Sequence, residues 1–132
     1  MVFVDSSFWI ALASRRDAHH DEAVALLALS GEPLLVSNHV RGESWTWLCR
    51  RHGHRSAVSF LDSLASRRVR VAFVSEELER EALDWLRRHD ERAYSFVDAT
   101  SFALMRALGI REALAFAGDF SAAGFVELRA SA

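Results

Sequence analysis

Four acids stand where short apolar runs give way to helix-forming sequence. Asp5 ends Val2-Phe3-Val4, Glu43 comes soon after Leu34-Leu35-Val36, Asp98 lies in Ser95-Phe96-Val97-Asp98, and Asp119 follows Leu114-Ala115-Phe116. Open α/β sheets build their sites outside the carboxyl ends of strands, where alternating strands and helices would bring such acids together. Asp5 closes a wholly apolar run, and Asp98 is the only charged residue between Phe96 and Met105. A carboxylate in so poorly hydrated a place needs a compensating partner. Converging carboxylates repel one another, so their natural partner is a hard divalent cation such as Mg²⁺ or Mn²⁺.

Each acid also has a purely structural explanation. Asp5 suits a helix cap, and Asp98 completes a Ser95-x-x-Asp98 capping box. Glu43 suits a solvated helix face, and Asp119 after Gly118 suits a turn. Ser6 and Ser95 either orient the acids and touch phosphate or simply cap helices. Arg15 and Arg16 after the first helix, and Arg41 just before Glu43, are the candidates for substrate contact, against a default of solvated surface charge. Arg50-Arg51, Arg67-Arg68 and Arg87-Arg88 read as ordinary helix faces, and Trp45, Trp47 and Trp85 as core or interface residues. Cys49, His52 and His54 invite a zinc reading, but no fourth ligand follows at a standard spacing.

The elements that must position these residues are legible in the patterning. Val2–Val4, Leu34–Val36, Val69–Val74, Leu114–Phe116 and Phe125–Leu128 read as short buried strands. Helices are expected over residues 6–12, 18–29 (closed by Gly31-Glu32-Pro33), from Ser37-Asn38 to the break at Gly53, 55–67, from Ser75 to about 89, and from Ser95 to Gly109. Strands alternating with helices predict a three-layer α/β/α domain around a mainly parallel sheet of four or five short strands. A length of 132 residues with no repeat or low-complexity tract predicts a single domain over 1–132.

Composition narrows the function. The net charge of −2 gives no global basic field, so nucleic-acid contact must come from local Arg patches. Every basic residue is Arg, a pattern that codon bias explains as well as phosphate recognition does. One cysteine excludes an intramolecular disulfide and fits a reducing cytoplasm. The opening residues lack a signal peptide's regions, and no apolar run is long enough to span a bilayer, so a cytoplasmic protein without membrane contact is expected.

Taken in order, these motifs resemble the PIN-domain family in its VapC toxin form. Val4-Asp5-Ser6-Ser7 resembles the first motif, and Val36-Ser37-Asn38-His39-Val40 with Glu43 the second. Tyr94 through Phe102, around Asp98, resembles the third. Leu114-Ala115-Phe116, running through Asp119-Phe120 to Gly124-Phe125, is similar to the closing motif. The resemblance implies a Mg²⁺-dependent ribonuclease (Mn²⁺ as substitute) in which Asp5, Glu43 and Asp98 hold metal directly or through water. Metal-activated water would cut the phosphodiester to leave a 5′-phosphate and a 3′-hydroxyl. It also implies an RNA substrate (tRNA or another structured RNA), a cognate antitoxin lying across the site, and a homodimer.

One departure bears on the chemistry. The family's fourth acid normally follows the Phe of the closing motif, and here that place holds Ala117. Either Asp119 reaches in as the fourth catalytic acid, or it is the motif's ordinary turn residue and one ligand is lost; the alignment favours the second. The alternative function is then a catalytically inactive PIN-fold module binding RNA or protein. An aspartyl phosphotransferase using Asp5 as nucleophile would want an Asp where Ser7 stands and a downstream Lys, and the chain has no Lys. A DNA-cleaving PIN nuclease generally carries extra elements for which this chain has no room.

Overall fold

Residues 1–130 are described by the computed structural model. The chain runs β1 (Val2–Val4), α1 (Ser6–Ala13), α2 (His20–Leu29), β2 (Leu34–Ser37), α3 (Asn38–His52), α4 (His54–Ser66), β3 (Arg70–Ala72), α5 (Glu76–Arg88), α6 (Phe96–Leu108), β4 (Glu112–Leu114), α7 (Asp119–Ala122) and β5 (Val126–Glu127). The strands form one all-parallel sheet in the order β3-β2-β1-β4-β5. Parallel strands need helical crossovers that cover the sheet, which is why the central strands carry no polar alternation. Phe3, Val4, Leu35 and Val36 are fully buried, and the layers form the expected α/β/α fold.

From β1 the chain moves outward to β2 and β3, then returns to the other flank with β4 and β5. The order therefore reverses between β1 and β4, and a crevice opens at the carboxyl ends of the strands there. Three of the following helices start on side-chain caps at that edge: Asp5 for α1, Ser37 for α3 and Ser95 for α6. Each cap accepts from a first-turn amide that would otherwise have no partner. α6 ends at Gly109, whose left-handed φ of 69° closes the last turn without a Cβ clash.

The helices pack in two groups, α1 with α2, α3 and α4, and α5 with α6. Phe102 of α6 is completely buried at the centre of an aromatic cluster. Its ring lies 5.2 Å from Trp85, 5.0 Å from Phe120, 5.5 Å from Phe125 and 5.8 Å from Tyr94.

Four expectations from the sequence change. β3 is confined to Arg70–Ala72 because it is an edge strand: Phe73 is exposed, and the Val74 amide donates to Asn38 Oδ1 at 2.9 Å instead of extending the ladder. β4 starts earlier, at Glu112, and ends at Leu114, since register with β1 pairs Val4 with Leu114 and the Phe116 amide turns to Ser7 Oγ. β5 shortens to Val126–Glu127. The turn expected at Asp119 is the start of a short helix, α7.

Phe102→Ala should lower unfolding stability by about 3–5 kcal/mol, because the rings around it cannot collapse into the space left. Urea denaturation measures this, and a loss under 1 kcal/mol would refute the cluster's role.

Candidate active site

Asp5 is nearly buried at the end of the central strand, with 5% exposure. Its Oδ2 accepts from the Ser7 amide at 3.2 Å and the Ser7 hydroxyl at 2.7 Å. That hydroxyl in turn accepts from the Phe116 amide at 3.1 Å, tying Asp5 to the exit of β4. Glu43, in the second turn of α3, takes the Ser6 hydroxyl on Oε1 at 2.6 Å. Asp98, in the first turn of α6, accepts the Ser95 amide on Oδ2 at 3.1 Å while Ser95 Oγ accepts the Asp98 amide, a complete capping box.

Asp5 and Asp98 both feel the Glu43 charge, and Asp5 also feels Asp98. Burial lifts the Asp5 carboxyl from its ordinary 3.8 to about 6, against the lowering bonds from Ser7 and with the help of the Asp98 and Glu43 charges. Asp98 is also raised, first by burial and then by the charges of Asp119 and Glu43, against its bonds to Ser95. None of the three forms an ion pair with any of the described arginines. Each leaves one carboxylate oxygen (Asp5 Oδ1, Glu43 Oε2, Asp98 Oδ1) without a donor among the described residues.

No three His, Cys, Asp or Glu side chains among the described residues are gathered into a ready cage for an ion. Mg²⁺ takes hard oxygen donors and keeps several of its waters, so carboxylates can hold it directly or through water. Repelling hard-oxygen donors with one free oxygen each fit that ion.

Asp119 stands apart from the trio in one respect. Its Oδ1 accepts from Arg92 Nε at 3.0 Å, and Arg92 Nη2 also reaches the Ala117 carbonyl at 3.4 Å. The segment between them is fixed from behind by Glu127, whose side chain is 2% exposed. Glu127 accepts from the amides of Gly118 and Ser121, at 3.3 and 2.9 Å, and from Arg129 Nη2. Ala117 is exposed.

The Ser6 hydroxyl donates to Glu43, whereas the Ser95 hydroxyl caps α6, the other of its two readings, and only its backbone amide reaches the Asp98 carboxylate. Arg15 and Arg16 are exposed beyond α1. Arg41 lays its guanidinium over the Phe73 ring, 5.6 Å from the centroid, so it is turned toward the exit of β3. Sequence reasoning gave Ser7 no site role, although its hydroxyl holds Asp5; its place two residues after a capping Asp was the available signal. Arg92 and Glu127 were missed too, and nothing in their local sequence points to the 117–119 segment. His52 and His54 pack against different tryptophans, Trp47 and Trp45 respectively.

Comparison with known proteins gives consistent results. A PIN domain family model matches residues 2–126. The 23S rRNA-specific endonuclease VapC20 of Mycobacterium tuberculosis is 57% identical over 129 residues, covering 98% of each chain. A VapC ribonuclease of Archaeoglobus fulgidus is 28% identical over 114 residues, 82% of this chain and 72% of that one. The crystal structure of Mycobacterium tuberculosis VapC20, described as a sarcin–ricin loop cleaving toxin, superposes with a TM-score of 0.94 at 55% identity, covering 98% of this chain and all of that one. A toxin–antitoxin complex from Klebsiella pneumoniae shares the fold, with a TM-score of 0.62 at 18% identity over 86% of this chain and 83% of that one.

The raised Asp5 carboxyl makes stability depend on pH. Between pH 3.8 and about 6 the folded chain holds more protons than the unfolded one, so stability falls as pH rises through this window. At 1.36 kcal/mol per pKa unit, the loss from Asp5 is on the order of 3 kcal/mol. Asp5→Asn, which keeps a capping oxygen, should therefore be more stable than the parent at pH 7 in EDTA and nearly equal to it near pH 4. Urea unfolding at the two pH values checks this, and an Asn variant weaker at pH 7 would contradict the burial argument.

Proposed function

The chain belongs to the PIN-domain family and to its VapC-type toxins, and from that premise we propose that it is a Mg²⁺-dependent endoribonuclease that cuts 23S rRNA. The supporting observation is the set of acids at the carboxyl edge of the sheet, which repel one another and have no guanidinium partner. The 23S rRNA target follows the name of the 57%-identical relative.

Asp5, Glu43 and Asp98 would hold Mg²⁺ or Mn²⁺, which when bound acidifies the attacking water and offsets charge on the phosphate. The protein's own part is to keep these acids placed and charged. Ser7, Ser6 and the Ser95 amide each occupy one oxygen of Asp5, Glu43 and Asp98 and leave the other without a donor among the described residues. A carboxylate of the set would accept the proton that the attacking water gives up. The products would be a 5′-phosphate and a 3′-hydroxyl.

We assign the fourth acid to Asp119. Among the charges acting on Asp98, that of Asp119 comes ahead of Glu43. Arg92 occupies only Oδ1 of Asp119, and Glu127 fixes the turn that carries it. Asp119 thus supplies from two residues further on what the family places at position 117. A cognate antitoxin is the regulatory partner, the working form is a homodimer, and the compartment is the cytoplasm. No helix of the described residues is long and apolar enough to cross a membrane.

Cleavage of a 23S rRNA fragment should require Mg²⁺ or Mn²⁺ and stop in EDTA. Asp98→Asn should lower kcat by roughly 100-fold or more, equivalent to about 2.7 kcal/mol of transition-state stabilisation. Cleavage that survives EDTA, or an Asp98→Asn enzyme as fast as its parent, would sink the metal-nuclease reading. Asp119→Asn should also lose activity while Ala117→Asp gains little. If Ala117→Asp instead raises the rate strongly and Asp119→Asn is neutral, the fourth acid belongs at position 117.

A further inference from the structure

We propose that the face of α3 from His39 to Arg51 is a track for the RNA strand beside the scissile phosphate, with Trp47 stacking one of its bases. The proposal rests on the ribonuclease reading and adds where the substrate lies. A recess of about 660 Å³ runs along this face, with Val97 of α6 also lining it. Its α3 residues recur every three or four positions, which makes them one continuous stripe of the helix. Glu43 belongs to that stripe, and Val97 precedes Asp98, so the recess opens directly onto the acids.

Trp47 lies one helical turn beyond Glu43. It also lines a second recess of about 310 Å³, together with Ser7, His19, Phe116 and Ala117. The indole therefore stands between two openings, one on the Glu43 side and one beside the Ser7 that holds Asp5. Phe116 in the second opening is less available, because His19 stacks on it at 4.4 Å and the Phe8 ring at 5.9 Å.

Charge along the track suits a polyanion. Among the described residues Glu43 is the only acid that lines the larger recess and Asp17 the only one that lines the smaller, while Arg50 and Arg51 line the far end of the larger. Both arginines are exposed, and neither makes an ion pair among the described residues. Arg51 rests its guanidinium 5.2 Å from the Trp47 ring centroid. An aromatic face backed by a guanidinium holds a base by stacking and the adjoining phosphate by charge, without reading sequence. With a net charge of −2, the chain has to draw its RNA affinity from local clusters of this kind.

Gly42 is an independent sign. It lies inside α3, where glycine weakens a helix relative to alanine. Its φ is not positive, and a Cβ added there would meet no protein atom within 4 Å. Neither backbone conformation nor packing requires the glycine. It leaves the helix surface bare beside Glu43, as close approach by a ligand would require.

The experiment measures binding and cleavage separately, using a synthetic RNA hairpin with the sarcin–ricin loop sequence and a poly-uridine strand. Fluorescence anisotropy in EDTA gives Kd, and Mg²⁺ kinetics give kcat and KM. Trp47→Leu should weaken hairpin binding and raise KM roughly 10-fold, within the usual worth of a base–aromatic stack, whereas Trp47→Phe restores most of it. Gly42→Gln should raise Tm, since Gln is the better helix former, and yet weaken RNA binding by filling the recess. RNA should quench tryptophan emission in the parent and in Trp45→Phe, and not in Trp47→Phe. If Trp47→Leu and Gly42→Gln both bind RNA like the parent, the track is refuted and the recess serves a protein partner. A parent that binds neither RNA refutes it as well. A parent that binds the hairpin at this face but never cuts it overturns the nuclease reading and leaves the track standing.

Discussion

Like charges gathered without a counter-charge are expensive in a folded protein, and Asp5, Glu43 and Asp98 are gathered in this way. The chain has sixteen basic residues, and none is placed against these three acids. Serine hydroxyls and a backbone amide hold them instead, neutral donors that orient a carboxylate without quenching its charge. An arginine at the same point would stabilise the fold and occupy the oxygens that are proposed to hold the metal ion. The energetic burden falls on the rest of the structure, which supplies a fully buried parallel sheet and tightly capped helices to carry it.

Asp119 is held differently. It is neutralised by Arg92, and the turn that presents it is held by Glu127 from the edge strand. Asp119 is therefore paired, while Asp5, Glu43 and Asp98 have no ion-pair partner among the described residues. The difference follows from position. Asp5, Glu43 and Asp98 each sit where a strand end or helix start already fixes the backbone. Asp119 lies in a connection that needs its own anchor, because a short loop after β4 has no long helix to brace it.

Much of this was legible in the sequence. The strand at Val2–Val4, the cap at Asp5, the capping box at Ser95 and Asp98, and the breaks at Gly53 and Gly109 are local events governed by side chains within four residues of one another. The ends of β3, β4 and β5 were not legible, because strand length depends on the partner strand: β4 begins at Glu112 to stay in register with β1. Trp47 read as core or interface and Arg50-Arg51 as an ordinary helix face, and sequence alone could not show that Val97 of α6 lines the same recess as that face of α3.

Residue type and short-range spacing were enough for the family and the alternation of strands and helices, and they nominated Asp5, Glu43 and Asp98 as candidate site acids. Tertiary structure alone decided how the acids are held and what surrounds them. Ser6 meets Glu43 across 37 residues, Ser7 meets the Phe116 amide across 109, and Arg92 meets Asp119 across 27. Such pairings form only when crossovers return the chain to the same edge of the sheet, so no local pattern encodes them.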